Sequence, residues 1–186
     1  MKPTKIPCDY LAREHSQRAT VLFTAIRPYL VPGMTYLDIG CGTAPLTRFI
    51  DESFPPARYV GIDLNAEAIR ACSLEYPHHT WLCVKCEDFP LDARYDVIVH
   101  TGVNARRFND AQIHGRILDG PLPGPSVVLI ESGDYQNGPS DTREIYDEIR
   151  ELYRGHGFIS SHEQVLVIDH FPVPIRRHTV FIGPRA

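Results

Sequence analysis

Apolar positions along the chain recur at two different spacings, and the alternation between those spacings marks out the elements. From Asp9 to about Arg27, the positions of Leu11, Ala19, Leu22, Phe23 and Ile26 repeat partly at three and four residues, which predicts an amphipathic helix halted near Pro28. Pro32-Gly33 then turns the chain. Met34 to Ile39 is a short apolar run ending at Gly40, and the segment from Pro45 sets Leu46, Phe49 and Ile50 on one helical face. Arg58 to Asp63 predicts a second strand, with Asn65 as N-cap of a helix carrying Ala66, Ile69 and Leu74. Thr80 to Cys86 and Tyr95 to His100 are further strands, the latter almost continuous in β-branched residues, as a strand buried on both faces should be. A weaker helical stretch follows around Ala111 to Leu118, then a strand over Ser126 to Glu131. A clear helix from Ser140 to Arg154 carries Ile145, Ile149, Leu152 and Tyr153, with Gly155 as its stop.

After Gly157 the pattern changes. Gln164 to His170 and Arg177 to Gly183 read as strands joined by a segment too short for a crossover helix, so they should pair antiparallel. The expected fold class is therefore α/β: a doubly wound, mostly parallel seven-stranded sheet with helices on both faces and a C-terminal antiparallel hairpin. Ligands of such sheets bind beyond the carboxyl ends of the strands. The length of 186 residues suits a single domain over 1–186, with an N-terminal helical segment at 1–30 and a core at 34–186.

Composition narrows the class further. With 43% hydrophobic and 23% charged residues the chain is neither low-complexity nor disordered, and no apolar run is long enough to cross a bilayer. No apolar h-region follows the first lysines. Five irregularly spaced cysteines read as reduced thiols, so the expected setting is cytoplasmic. A formal charge of −4 weighs against a nucleic-acid partner, and a small molecule is the expected one, with a homodimer and no membrane association as further expectations.

Candidate chemistry concentrates at Leu37-Asp38-Ile39-Gly40-Cys41-Gly42-Thr43-Ala44-Pro45, where the first strand meets its helix. Glycines there let the backbone approach a ligand with no Cβ in the way. Asp63 closes the second strand, where a carboxylate can accept both hydroxyls of a ribose. Asp88-Phe89 follows the third, where a carboxylate and the next backbone amide can meet an adenine. A dinucleotide fingerprint would need glycine or alanine at the position of Pro45.

In that order, LDIGCGTA, YVGID, CEDFP and YDVIV resemble a class I S-adenosylmethionine-dependent methyltransferase, over Met34 to about Glu131. The resemblance implies S-adenosyl-L-methionine as cofactor. It implies that Asp38, Gly40 and Gly42 line the methionine part, Asp63 the ribose, and Asp88 with Phe89 the adenine; Cys41 and Leu64, adjacent to these, complete the set. Glu87 is a rival to Asp88. Ala44 departs from the family, which commonly has a third glycine there.

For catalysis, alignment of an acceptor with an activated methyl group can supply about 7 to 11 kcal/mol in favourable cases. His100 ends the fourth strand and is a candidate general base with an ordinary imidazole pKa, or else a histidine bonded to the following loop. Glu131, with Asp134 and Tyr135 beyond it, forms a second polar cluster, and Glu131 and Tyr135 are candidate substrate-orienting residues. The TGVN after the fourth strand lacks the Asn-Pro-Pro-aromatic signature of nucleobase amino-methylating branches. Cys83-x-x-Cys86 near His78-His79 falls short of a zinc set for want of a second cysteine pair, so no metal is expected. Arg106-Arg107 and Arg176-Arg177-His178 can hold an acidic substrate or simply be solvated. The same holds for Tyr10, Arg13, His15 and Arg18 of the first helix, which either close over the cofactor or face solvent. The reading that results is methyl transfer to a small-molecule hydroxyl, amine or carboxyl. Its alternatives are a non-catalytic cofactor-binding subunit that needs a partner, and an RNA or protein methyltransferase.

Overall fold

The computed structural model describes residues 19–91, 93–101, 110–120, 124–133, 140–165 and 176–183. The first helix, α1, is described over residues 19–26 and passes into a 3-10 turn at Arg27–Tyr29 that contains Pro28. There follow β1 (Thr35–Ile39), α2 (Thr47–Ser53), β2 (Arg58–Asp63), α3 (Ala66–Glu75), β3 (Thr80–Cys83), a 3-10 turn at Cys86–Asp88, β4 (Val97–Thr101) and α4 (Asp110–Leu118). The chain continues with β5 (Val127–Gly133), α5 (Ser140–Gly155), β6 (Ile159–Val165) and β7 (Arg176–Ile182).

The seven strands form one sheet in the order β3-β2-β1-β4-β5-β7-β6. Strands β1 to β5 run parallel, and β7 enters antiparallel between β5 and β6. Because successive side chains point to opposite faces, each central strand contributes to two cores. Tyr36, Tyr59, Trp81, Val97, Val99 and Leu129 pack with Leu22, Ile26 and Ile50 on the α1–α3 face. Leu37, Val60, Ile62, Ile98, Val128 and Ile130 pack with Ile113, Ile149 and Tyr153 on the α4–α5 face. Burial on both faces is why these strands read as unbroken apolar runs. At their opening ends, Asp96 Oδ2 accepts from the Thr35 amide at 2.9 Å and the Thr35 hydroxyl at 2.8 Å, fixing the β1–β4 register.

Asn65 caps α3 as expected, its Oδ1 accepting from the Glu67 and Ala68 amides at 3.1 and 3.2 Å. Some strand boundaries differ from the sequence expectation: β3 ends at Cys83, short of Cys86, which lies in the 3-10 turn. The sixth strand begins at Ile159, not at Gln164, and is described to Val165, the rest of the expected strand, residues 166–170, lying outside the described residues. It is a polar edge strand whose place is set by pairing with β7, from Ile159 opposite Ile182 to Val165 opposite Arg176. Helix α5 ends at Gly155 as expected, and the left-handed residue that caps it is Gly157 at φ 81: the Phe158 amide donates to the Tyr153 carbonyl at 3.0 Å and the Gly157 amide to that of Arg154 at 3.1 Å. Tyr153 and Phe158 close the motif edge to face, with ring centroids 5.0 Å apart. Among the described residues no helix is long and apolar enough to cross a membrane.

Candidate active site

The strand order reverses between β1 and β4, and the carboxyl ends of β1, β2 and β4 meet at that switch point. Between β1 and α2 the chain makes a turn in which Gly40, Gly42 and Ala44 all lie in the left-handed region, at φ 71, 53 and 50. The Gly40 and Cys41 amides both donate to the Ile62 carbonyl, at 2.8 and 3.1 Å, folding the turn across the end of β2. Ala44 is the departure in this turn. It is fully buried in a conformation that costs an L-residue roughly 1–2 kcal/mol, held by the bonds from its amide to Cys41 and from the Thr47 amide to its own carbonyl.

A Cβ built on Gly42 would meet no atom within 4 Å, so this part of the turn opens onto free space. Its floor is tied to Asp63. The Gly42 amide donates to Asp63 Oδ2 at 2.8 Å and the Asn65 amide to Oδ1 at 2.8 Å. A carboxylate offers about four acceptor positions, so two remain after the amides have fixed its plane. Leu64, next to it, is 48% exposed. Beneath the turn the Cys41 and Cys72 thiols share the Gly42 carbonyl as acceptor, at 3.7 and 3.4 Å. The hydrogen bond to Cys72, reinforced by burial, holds the Cys41 thiol far above its ordinary pKa, and it remains a neutral packing group.

Asp38 is buried, its Oδ2 accepting from the Tyr59 hydroxyl at 2.7 Å on the α1–α3 face. Burial, followed by the charge on Asp38, pushes the Tyr59 phenol well upward, so it stays a proton donor. On the other side of the cleft Asp88 is exposed at the end of a 3-10 turn. Phe89 puts its ring into the α4–α5 core, and its amide makes a 3.4 Å bond to the Cys86 carbonyl. Glu87 Oε2 accepts from the Cys86 thiol at 3.7 Å. No local signal marked what holds this loop: Arg116 of α4 donates to the Glu87 and Phe89 carbonyls at 2.7 and 2.9 Å.

His100 stands near the end of β4 with its ring buried against α4, and the loop that follows lies outside the described residues. Its Nδ1 lies 3.0 Å from His114 Nε2, and His114 Nδ1 lies 2.7 Å from the Tyr153 hydroxyl. The three rings join β4, α4 and α5 in one buried chain. Burial lowers the His100 pKa to about 4, in place of the ordinary value expected, and lowers His114 further below its usual range; it raises Tyr153. Two proton arrangements satisfy the chain. If Tyr153 donates to His114, His100 carries its proton on Nε2; if His100 donates from Nδ1, its Nε2 presents a lone pair. Neither His114 nor Tyr153 carried a sequence signal, because only tertiary packing makes them neighbours of His100.

Glu131 is buried at the end of β5, level with Thr101 on one side and His178 on the other. Tyr135 and Asp134 lie outside the described residues, as do Tyr10, Arg13, His15, Arg18, Arg106 and Arg107; of Arg176, Arg177 and His178 only the backbone is described. A cavity of about 380 Å³ lined by Leu91, Tyr95, Ile98, Arg116, Ile117 and Pro125 lies toward the opposite ends of β4 and β5, away from the cleft.

Residues 37–113 match the family model described as a methyltransferase domain. Over this stretch the chain is similar to methyltransferase domains. The domain is similar to the malonyl-[acyl-carrier protein] O-methyltransferase of Anoxybacillus flavithermus, at 34% identity over 37% of this chain and 27% of that one. It is also similar to the trans-aconitate 2-methyltransferase of an Azoarcus species, at 28% identity over 57% and 42%. These matches span less than half the length of either relative. In fold, the chain resembles magnesium protoporphyrin IX methyltransferase of Synechocystis PCC 6803 with bound SAM, at TM-score 0.66 and 13% identity over 98% of this chain and 86% of that one.

Proposed function

We propose that this chain is an S-adenosylmethionine-dependent methyltransferase acting on a small-molecule hydroxyl, amine or carboxyl. The observation that carries the reading is the pairing of a glycine turn open above Gly42 with a carboxylate, Asp63, held by two backbone amides at the end of β2. An immobile acceptor beside exposed backbone suits a ribose diol and the chain attached to it. In this reading Asp38, Gly40, Cys41 and Gly42 hold the methionine part, Asp63 and Leu64 the ribose, and Asp88 with Phe89 the adenine. The cofactor, when bound, supplies an activated methyl group. The names of the two relatives, a malonyl-[acyl-carrier protein] O-methyltransferase and a trans-aconitate 2-methyltransferase, support an acidic acceptor.

The acceptor belongs beyond β4 and β5, where His100, Glu131 and Tyr135 are the candidates for orienting it. Since His114 occupies Nδ1 of His100, a proton transfer at that residue runs through Nε2. In the cell the domain is proposed to act in the cytoplasm, as a monomer or homodimer, without nucleic acid.

Calorimetry with S-adenosylhomocysteine tests the site. Wild type should bind one equivalent and bind no NAD. Asp63→Ala should lose about one to two decades of affinity, from about 1.5–3 kcal/mol of charged hydrogen bonding. Asp63→Asn, which keeps one acceptor oxygen for the loop, should fold more stably than Asp63→Ala while still binding weakly. Undiminished binding by both variants would remove Asp63 from the site. Binding without turnover on any small acid, alcohol or amine would favour the non-catalytic subunit.

A further inference from the structure

Away from the cleft, three side chains converge on one point of the α1–α3 face. Asp51 comes from α2, and His78 and His79 from the turn between α3 and β3. His78 Nε2 lies 3.1 Å from Asp51 Oδ2, and His79 Nε2 lies 2.8 and 3.1 Å from Oδ1 and Oδ2. One ligand atom from each residue can be chosen so that all lie within 4.8 Å of one another. We propose that Asp51, His78 and His79 form a binding site for a divalent transition metal, zinc before others, independent of the methyltransferase reading.

The donor set argues for the metal class. Two imidazoles and one carboxylate are borderline ligands that suit zinc, nickel or copper, whereas magnesium and calcium favour all-oxygen shells. In a tetrahedral zinc site with bonds of about 2.0–2.1 Å, neighbouring ligand atoms sit roughly 3.3 Å apart. The separations of 2.8 and 3.1 Å are close to that edge length, so admitting an ion needs small outward shifts. Both histidines also present the same ring atom, Nε2, to one carboxylate, although they are adjacent in sequence and their ring centroids lie only 4.0 Å apart.

The surroundings hold one ligand firmly and leave access to the others. The His79 side chain is 5% exposed, stacked on Tyr59 with centroids 5.1 Å apart and flanked by Tyr76 and Trp81. The His78 side chain is 61% exposed, which gives an ion and its remaining water ligands a way in. The sequence reading grouped these histidines with Cys83 and Cys86. The fold instead sends those cysteines toward the other end of β3, where Cys83 pairs with Asp63. Since α2 runs back from the glycine turn, Asp51 lies toward the end of the sheet away from the cleft. The ion would staple α2 to the entrance of β3, the strand at the sheet edge, with no part in methyl transfer.

The test uses the full chain freed of metal and titrated with zinc against a chromophoric chelator. Cobalt serves as a second probe, whose visible absorption reports a four-coordinate site. One equivalent should bind, and zinc at 100 times its Kd should raise Tm by about 5 to 10 °C. His78→Ala, at an exposed position that should fold normally, should weaken zinc more than about tenfold, as should Asp51→Asn, while S-adenosylhomocysteine affinity stays unchanged. Stoichiometric zinc that survives His78→Ala, or that is lost instead in Cys83→Ser, would overturn the site, as would the absence of one-to-one binding to wild type.

Discussion

At the level of single residues, the cleft depends on positions where backbone conformation, not side-chain chemistry, sets the identity. Gly42 combines φ 53 with open space in the direction of its missing Cβ, so Gly42→Val should act twice. The strained backbone should cost about 1–2 kcal/mol, and the side chain should fill the cleft and lower S-adenosylhomocysteine affinity by more than about a hundredfold. Calorimetry beside urea unfolding separates the two effects; full affinity in a folded variant would show that the turn is not the cradle. Ala44→Gly is the contrasting case. It relieves left-handed strain but loses a buried methyl group and gains unfolded-state freedom, so stability should stay within about 1 kcal/mol with binding intact. The glycine turn and Asp63 were legible in the sequence because glycine spacing and a strand-ending carboxylate are local signals. The bond from Gly42 to Asp63 was not, since it joins residues 21 apart in sequence.

Among the elements, the β2–β3 pair shows how one small residue admits a large one. Trp81 of β3 lies opposite Gly61 of β2, and a Cβ on Gly61 would overlap the indole ring and crowd the Cys41 sulfur. Gly61→Val should therefore destabilise by about 1–3 kcal/mol through overpacking, read as a lower urea midpoint with a quenched or shifted Trp81 emission. An unchanged midpoint would show that Trp81 can leave the strand face at no cost. The parallel strands were legible because burial on both faces leaves an apolar run. The start of strand β6 was placed too late because ISSHE is a polar edge segment with no apolar run to mark it; register with β7, and not hydrophobicity, brings it into the sheet. The left-handed cap of α5 falls at Gly157, beyond its last residue Gly155, for a related reason. Either glycine can end a helix, and the contact of Tyr153 with Phe158 selects the second.

Across the whole molecule, the His100–His114–Tyr153 chain couples three elements to pH. Because burial lowers the His100 pKa from its usual 6.5 to about 4, the folded protein binds fewer protons than the unfolded chain between those values. Stability is therefore fully present above about pH 6.5 and falls as pH drops through the window. Between pH 7 and pH 5 His100 alone should account for a loss on the order of 2 kcal/mol, with His114 acting in the same direction. Urea unfolding at the two pH values measures it: His114→Gln should flatten the slope, and a wild-type profile with no decline would overturn the assignment. The sequence by itself determined the fold class, the order of the parallel elements and the place of the cofactor-like turn, because periodicity, glycines and strand-end carboxylates act over a few residues. Only the tertiary structure decided that His100 is a buried, weakly basic imidazole, that Arg116 holds the Cys86–Asp88 turn, and that Asp51 meets His78 and His79. Each of these depends on side chains from separate elements brought within 3 to 4 Å, a distance that the spacing of residues along a chain does not encode.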